Sequence, residues 1–423
     1  MNDIVLTNEE RAHRQRRTEE RWNLLPEAVR TPTQALGRTQ AMGCVALEIT
    51  QRCNLDCTLC YLSENSESVP DLPLAEIIRR VDHIRETFGA GTNVQITGGD
   101  PTMRPQEELL EIVRQVRARK LSPSLYTNGI KATRRLLIRL KEAGLADVAF
   151  HVDTTQKRPG YRTEAELNRV REEYLGRVRG LGLPAYFNTT VHDGNLAEIP
   201  GLVRYFVGRA DALSIASFQL QADTGRGALR KRGPVISAET VARQIEAGLG
   251  RPMNFKAIQM GHPECNRQTY ALIVNGRVVD LLEDPEIVRL WLSGLAGLPL
   301  DRARQWRAGL RVLWETGRRP SWWPALGRFL TGFLHRHGHD LLAARFRVRK
   351  QMYFIHNFMD ADNLDQARID ACSFHVMTQE GSISMCAHNA RRDDFILPEH
   401  QPGAYSLTRP AITSVCTGCR GCN

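Results

Sequence analysis

The sequence predicts an α/β fold: a partial (β/α)6 barrel, a helical insertion and a small C-terminal module rich in cysteine. The first observation is that strand and helix patterns alternate six times between residues 41 and 218. Repeated βα units give a parallel sheet with helices outside, and six units suit an open barrel. The second observation is that five of the ten cysteines lie within residues 372–423.

The elements of the predicted barrel follow one another in regular order. The predicted strands are 45–49, 94–97, 124–126, 148–152, 185–190 and 212–218. The helices predicted between them are 74–88, 107–118, 134–143, 164–181 and 196–207. Further helices are predicted at 8–23 and 238–247.

Four segments divide the chain in this interpretation. Residues 1–40 form an N-terminal extension with one helix and a proline-containing linker. Residues 41–235 form the barrel, residues 236–365 a helical region rich in tryptophan and arginine, and residues 366–423 a cysteine-rich metal-binding module.

The composition and charge of the chain limit the kind of protein that it can be. A chain of 423 residues with 42% hydrophobic and 25% charged residues is ordinary for a globular protein. No apolar run is long enough to span a bilayer, and the arginine-rich N-terminus lacks the apolar core of a signal peptide, so we expect a cytoplasmic location. The net charge of +10 is spread along the chain without a nucleic-acid-binding signature, and we expect no nucleic-acid partner.

Residues 281–350 mix tryptophan, phenylalanine and arginine in helical patterns. A helical lid packed on the barrel is the commoner outcome of such a pattern. The alternative is peripheral contact of these helices with a membrane surface.

One loop carries the strongest chemical signal, because Cys53, Cys57 and Cys60 lie within eight residues directly after the first predicted strand. Thiolate is a soft ligand that suits iron–sulfur iron. Three thiolates hold three irons of a four-iron cluster and leave the fourth iron open to a small molecule. The competing interpretation is a zinc site, which prefers four protein ligands when it is structural.

The CxxxCxxC spacing resembles the signature of the radical S-adenosylmethionine (SAM) superfamily. The segment 94–102, a predicted strand that runs into a glycine pair, is similar to the superfamily's glycine-rich SAM-binding segment, with Asp100 where Glu is usual. The resemblance implies a radical SAM barrel, a 4Fe–4S cluster on the three cysteines and SAM as cofactors. It also implies SAM contacts for Tyr61, Gly98, Gly99, Asp100, Pro101 and Thr102.

Polar residues recur where successive predicted strands end. Ligands of βα architectures bind at the carboxyl ends of strands. We therefore predict SAM contacts for Asn128, Asp153 and Asn188. Each has a structural alternative: Asn128 with Gly129 is also an ordinary turn, and Asp153 also caps a helix.

The C-terminal cysteines predict further metal binding. Cys372 and Cys386 flank a predicted hairpin that would place the two thiols side by side, and Cys416, Cys419 and Cys422 follow it. The hairpin resembles the auxiliary-cluster (SPASM/twitch-like) module of radical SAM enzymes. The alternatives are mononuclear zinc or a rubredoxin-like iron site.

A narrower resemblance covers most of the chain. His262-Pro263-Glu264-Cys265, Asn357-Phe358-Met359-Asp360 and the segment from Arg368 to Asn389 occur in the same order as in a group of radical SAM enzymes. That group contains archaeal tetraether lipid synthase and the methanopterin-pathway radical SAM methylases. The resemblance makes Cys265, together with Cys372 and Cys386, a candidate ligand of an additional metal site.

The resulting hypothesis is an oxidoreductase or transferase that cleaves SAM reductively and abstracts hydrogen from an unactivated carbon. The expected outcome is carbon–carbon bond formation or methylation of a lipid or anionic small molecule. An external donor such as flavodoxin or ferredoxin would supply the electron. A peptide-modifying radical SAM enzyme is the main alternative, and an iron–sulfur redox sensor or scaffold is the non-enzymatic one.

Overall fold

The computed structural model describes residues 4–229, 233–294 and 305–397. Its strands are β1 Cys44–Thr50, β2 Asn93–Gly98, β3 Ser122–Thr127, β4 Asp147–His151, β5 Ala185–Val191, β6 Leu213–Leu220, β7 Asn266–Val274, β8 Arg277–Asp280, β9 Val348–His356, β10 Phe374–Thr378 and β11 Gly381–Ser384. Its helices are α1 Asn8–Leu24, α2 Leu74–Phe88, α3 Gln106–Ala118, α4 Arg134–Ala143, α5 Asn168–Val178, α6 Ile199–Val207, α7 Ala238–Leu249, α8 Pro285–Gly294, α9 Gln305–Gly317, α10 Trp323–Ala343, α11 Gln366–Asp370, α12 Met385–Ala390 and α13 Arg392–Ile396.

All of these strands belong to one sheet, in the order β11-β10-β1-β2-β3-β4-β5-β6-β9-β7-β8. The run from β1 to β6 is parallel throughout, and helices α2 to α6 connect its strands. This is the predicted succession of βα units, and the partial barrel is confirmed. Their carboxyl ends meet at one edge, where the strand-end residues named above are placed.

The two faces of this sheet differ in chemistry. One face is apolar and packs under the helices in a single large cluster that includes Leu47, Ile96, Phe150 and Phe187. Because side chains alternate along a strand, the neighbours of these residues lie on the opposite face. That concave face carries polar side chains on each strand from β1 to β6: Glu48, Gln95, Tyr126, His151, Asn188 and Ser217.

The sheet is curled, so that strands far apart in its order meet across the concave face. β9 and β10 stand at opposite ends of the parallel run, yet the rings of His356 and Phe374 lie 6.0 Å apart between centroids. Phe358 stacks on His356 at 5.3 Å and lies 6.2 Å from Phe374. We call this junction of β9 and β10 the seam.

The region predicted as helical, 236–365, is only partly so. It contributes β7, β8 and β9 to the sheet, with β9 parallel to β6 and antiparallel to β7. The interpretation of 281–350 as helical was wrong at its end, because β9 begins at Val348. The basic residues Arg349 and Lys350 obscured the alternation of that strand, whose buried residues begin at Gln351.

The C-terminal hairpin forms as predicted from β10 and β11, with its turn at Gln379 and Glu380. It extends the main sheet, because β10 pairs in parallel with β1 from Cys44 to Ala46. The N-terminal segment also packs on the body: Arg21 donates to the carbonyl of Cys372 at 2.7 Å, and Gln34 donates to that of Gly261 at 3.0 Å. Across the part of the chain that the structure describes, no helix has both the length and the apolarity needed to cross a bilayer.

Candidate active site and thiol clusters

The loop that carries Cys53, Cys57 and Cys60 leaves β1 at the carboxyl edge of the sheet and is held by other strand ends. The backbone N–H of Thr58 donates to the carbonyl of Thr155, after β4, at 3.0 Å. Asn128, after β3, donates through Nδ2 to Asn54 Oδ1 at 2.6 Å, and the same nitrogen lies 3.8 Å from Cys53 Sγ. We call residues 51–62 the thiol loop.

The three thiols share one electrostatic environment. Burial raises the pKa of Cys53, Cys57 and Cys60, and the sulfurs of Cys57 and Cys53 also interact unfavourably as anions with that of Cys60. Thiols in this state bind metal as thiolates, so that ligation releases their protons. The loop thus carries three soft donors within electrostatic range of one another, and their role as cluster ligands stays a prediction.

The glycine pair after β2 fits closely against the thiol loop. A Cβ on Gly98 would lie 1.9 Å from the carbonyl oxygen of Thr50, and one on Gly99 would lie 2.2 Å from that of Arg52. The backbone N–H groups of Gly99 and Asp100 donate to these same two carbonyls at 2.9 and 2.8 Å. Glycine is therefore required here for packing, and the predicted SAM contact of this pair stays a prediction.

Asp100 is fully buried and anchors the strand ends to one another. One carboxylate oxygen accepts from the Thr102 backbone N–H at 2.9 Å, and the other accepts from the Thr127 hydroxyl and the Asn128 N–H, both at 2.8 Å. Pro101 and Thr102 are buried in the short turn that follows. In this state Asp100 positions Asn128, and its contact with SAM stays a prediction.

Asp153 plays the same part at the end of β4. It is fully buried, accepts from the Thr190 N–H at 2.7 Å, and lies 2.6 Å from His151 Nε2. Although burial acts to raise the pKa of Asp153, His151 and the hydrogen bonds from Thr155 and Thr190 hold it well below its usual range. The negative charge of Asp153 also helps to raise the pKa of Cys57. Asp153 therefore holds His151 in place beside the thiol loop.

Asn188 differs from these anchored residues. It pairs with His151 across β4 and β5, so both side chains lie on the concave face. Asn188 is 5% exposed, and within the described ranges its carboxamide has no hydrogen-bond partner. Buried amides are normally satisfied, so this one is suited to bind a ligand on the concave face.

A second group of thiols lies at the seam. Cys265 precedes β7, Cys372 precedes β10 and Cys386 lies in α12. The charge of a Cys265 thiolate would raise the pKa of both Cys372 and Cys386, and that of a Cys386 thiolate would raise the pKa of Cys372. Burial is the main cause that raises the pKa of Cys372 to about 12 and of Cys386 to about 11. Arg368 Nε donates to Cys265 Sγ at 3.4 Å, and the Met359 N–H donates to Cys386 Sγ at 3.4 Å. The three thiols thus lie within electrostatic range of one another, and their role as metal ligands stays a prediction.

Cys416, Cys419 and Cys422 lie outside the described residues. Among the described residues, no three His, Cys, Asp or Glu side chains are arranged so that they could hold a metal ion.

Sequence reasoning missed several residues of the site. A role for His151 was not predicted, because a single histidine in a strand carries no spacing signal. Its position two residues before Asp153 was a usable hint. Arg158, which donates to the Asn128 carbonyl at 2.6 Å, and Arg392, which pairs with Glu48, lie far along the chain from their partners. Only the fold reveals such pairs.

Part of the chain is similar in sequence to a known family. Residues 47–205 match the sequence model of the Radical SAM superfamily. The chain therefore carries a radical SAM domain, a class that uses a 4Fe–4S cluster and SAM, and the three thiols of Cys53, Cys57 and Cys60 fit that cluster as a donor set.

Three curated relatives are enzymes. The chain is 28% identical over 186 residues to 7,8-dihydro-6-hydroxymethylpterin dimethyltransferase of Methanocaldococcus jannaschii, covering 43% of this chain and 36% of the relative. It is 29% identical over 165 residues to PqqA peptide cyclase of Methylorubrum populi (37% and 40%), and 37% identical over 171 residues to GTP 3′,8-cyclase of Streptomyces coelicolor (38% and 48%). The matched part spans about a third to a half of each relative's length.

Among solved structures, Streptococcus suis SuiB bound to S-adenosylmethionine aligns with a TM-score of 0.38 and 16% identity. The alignment covers 48% of this chain and 46% of SuiB.

Proposed function

We propose that this protein is an enzyme that cleaves SAM reductively and uses the resulting 5′-deoxyadenosyl radical to abstract hydrogen from an unactivated carbon. The observation that carries the proposal is the thiol loop: Cys53, Cys57 and Cys60 lie together at the carboxyl edge of a parallel sheet, where ligands of βα folds bind. Three thiolates leave one iron of a four-iron cluster open, which is where SAM would bind.

The chain's own residues position the reactants and exclude water. Asn128 ties the strand end after β3 to the thiol loop, and Asp153 fixes His151 beside it. Asn188 and His151, on the concave face, are the side chains proposed to contact SAM or the substrate. Holding reactants in a fixed, enclosed geometry supplies much of the rate and protects a reactive intermediate from side reactions.

The additional thiols at the seam are proposed to hold an auxiliary iron–sulfur cluster, with Cys265, Cys372 and Cys386 as ligands. Arg368 and the Met359 N–H donate to the sulfurs of Cys265 and Cys386, which offsets part of the pKa rise that burial causes. Such a cluster would serve as electron relay or substrate anchor. Cys416, Cys419 and Cys422 are proposed as further ligands on sequence grounds alone.

The proposed substrate is a lipid or other anionic small molecule, and the proposed outcome is methylation or carbon–carbon bond formation. The seam supports a substrate with an apolar part, because Phe354, His356, Phe358 and Phe374 form a continuous group of rings there. The dimethyltransferase and the GTP cyclase among the relatives are consistent with small-molecule chemistry. A flavodoxin or ferredoxin is the proposed electron donor.

A peptide substrate is the second candidate, favoured by the similarity to PqqA peptide cyclases. The two candidates differ in which added molecule stimulates the formation of 5′-deoxyadenosine. A lipid or nucleotide substrate would raise 5′-deoxyadenosine formation and be consumed, whereas for a peptide-modifying enzyme only a peptide would do so.

The direct test is anaerobic reconstitution with iron and sulfide, followed by dithionite, SAM and quantitation of 5′-deoxyadenosine. The wild-type chain should form it, and Cys57→Ala should abolish its formation while the seam keeps its iron. Cys44→Ala is the matched control, because Cys44 lies at the other end of β1 and should retain activity. Intact clusters without 5′-deoxyadenosine would overturn the enzyme proposal and favour a redox sensor.

A further inference from the structure

The α9–α10 region exposes an unusual concentration of large apolar side chains. We call the following six residues the docking face: Leu310, Leu313, Trp314, Trp323, Leu330 and Leu334. Each is between 41% and 65% exposed. Along each helix they recur at spacings of three, four or seven, so on each helix they lie on one side.

The opposite side of α10 accounts for its packing. Ala325 is buried, and Phe329 lies 6.1 Å from Trp291 of α8. Arg336 and Arg328 pair with Glu283 and Glu286. The docking face is therefore not the surface that attaches these helices to the body.

The same segment concentrates positive charge. Residues 305–350 contain ten arginine and lysine residues against two acidic ones, a net +8 out of +10 for the whole chain. The charges are separated by apolar residues, so no single run reveals them. Arg311, Arg345 and Arg347 are exposed, and Arg318 lies over the ring of Trp314 at 5.8 Å.

We propose that the docking face binds the surface of an anionic lipid bilayer, with its leucine and tryptophan side chains at the boundary of headgroups and acyl chains. Helices with arginine beside a tryptophan and leucine face lie in that interface. A second copy of the chain is disfavoured because two 305–350 segments, each with a net charge of +8, repel each other. Nucleic acid is disfavoured because exposed leucines neither stack on bases nor bond phosphates. An acidic protein partner would leave the leucines uncovered by apolar surface.

The test uses the full chain and sedimentation with vesicles made of equal parts phosphatidylcholine and phosphatidylglycerol, against pure phosphatidylcholine. The wild-type chain should pellet with the anionic vesicles only, and its tryptophan emission should shift to the blue. Arg311→Gln with Arg345→Gln should lower the partition coefficient roughly 25-fold, at about fivefold for each basic residue. Trp314→Ser with Leu334→Ser should abolish the emission shift.

The matched control is Arg135→Gln with Ile138→Ser on α4, which removes one exposed charge and one exposed apolar side chain from a different helix. It should bind within about twofold of wild type. The proposal is overturned if wild type ignores anionic vesicles at low salt, or if the docking-face variants bind as the control does. It is equally overturned if sedimentation shows a dimer that Trp314→Ser dissociates, or if RNA or an acidic protein, but no vesicle, is retained. SAM cleavage is measured separately without vesicles, so either proposal can fail alone.

Discussion

The guanidinium of Arg392 lies 4.7 Å from the ring centroid of Tyr61 and donates to the carboxylate of Glu48. Tyr61 directly follows Cys60, and its hydroxyl donates to the Gly98 carbonyl at 2.7 Å. One arginine of α13 therefore contacts both the end of the thiol loop and a charge inside the curled sheet. The segment that follows the seam cysteines is in this way attached to the thiol loop.

Removing Arg392 should destabilise the chain strongly. Arg392 and Glu48 are 3% and 4% exposed, so Arg392→Gln would leave a buried carboxylate without its cation. We expect the free energy of unfolding to fall by about 3–5 kcal/mol. The double variant Glu48→Gln with Arg392→Gln removes both charges and should recover most of that loss. Urea unfolding of the wild type, Arg392→Gln and the double variant checks this, and equal losses in the single and double variants would contradict it.

The same pair gives a pH dependence whose sign is fixed. Burial acts to raise the pKa of Glu48, but Arg392 and His388 hold it below the ordinary value of 4.5. The unfolded chain therefore takes up this proton at a higher pH than the folded chain. The stabilisation by Glu48 is complete above about pH 4.5 and is lost as the pH falls through the folded-state pKa.

That prediction is checked by the slope of unfolding free energy against pH. Below pH 4.5 the wild-type slope should exceed that of the double variant by up to about 1.4 kcal/mol per pH unit. Equal slopes for the two proteins would show that Glu48 is not charged in the folded chain.

The barrel could be predicted because its signals are local. α2 and α4 coincide with the predicted 74–88 and 134–143, and the six strands lie within a few residues of their predicted bounds. Each of these elements carries its own apolar periodicity, which does not depend on distant partners.

Features that depend on contacts across the sheet could not be predicted from the sequence. β9 carries Arg349 and Lys350 at its exposed start, and becomes a strand through its pairing with β6 and β7. Likewise, Asp100 could be named as an acid after a strand. That its oxygens would accept from Thr127 and Asn128 depends on how β2 and β3 pair.

Gly99→Ala should displace the thiol loop. The new Cβ would lie 2.2 Å from the Arg52 carbonyl, a contact that only backbone movement can relieve. We expect a loss of about 1–3 kcal/mol in stability and poor retention of iron after reconstitution. Gly176→Ala in α5, where an added Cβ meets open space, is the control and should retain iron fully. Normal iron content in Gly99→Ala would refute the close fit.

Asn188→Ala and Asn128→Ala should fail in different ways. Asn188 has no partner within the described ranges, so its removal should leave the melting temperature nearly unchanged and weaken SAM binding by up to about tenfold. Asn128 is bonded to Asn54 and lies beside Cys53, so its removal should lower iron content as well. Equilibrium binding of SAM, iron assay and thermal unfolding separate the two. Unchanged SAM affinity in Asn188→Ala would remove this residue from the ligand contacts.

Cys386→Ala should separate the two proposed metal sites. Cys386 lies with Cys265 and Cys372 at the seam, whereas the thiol loop is held by the ends of β3 and β4. We expect this variant to lose the seam's share of iron while still forming some 5′-deoxyadenosine from SAM without substrate. Cys57→Ala should show the reverse pattern. Iron and sulfide quantitation beside a 5′-deoxyadenosine assay reads out both sites, and an iron content equal to wild type would exclude Cys386 as a ligand.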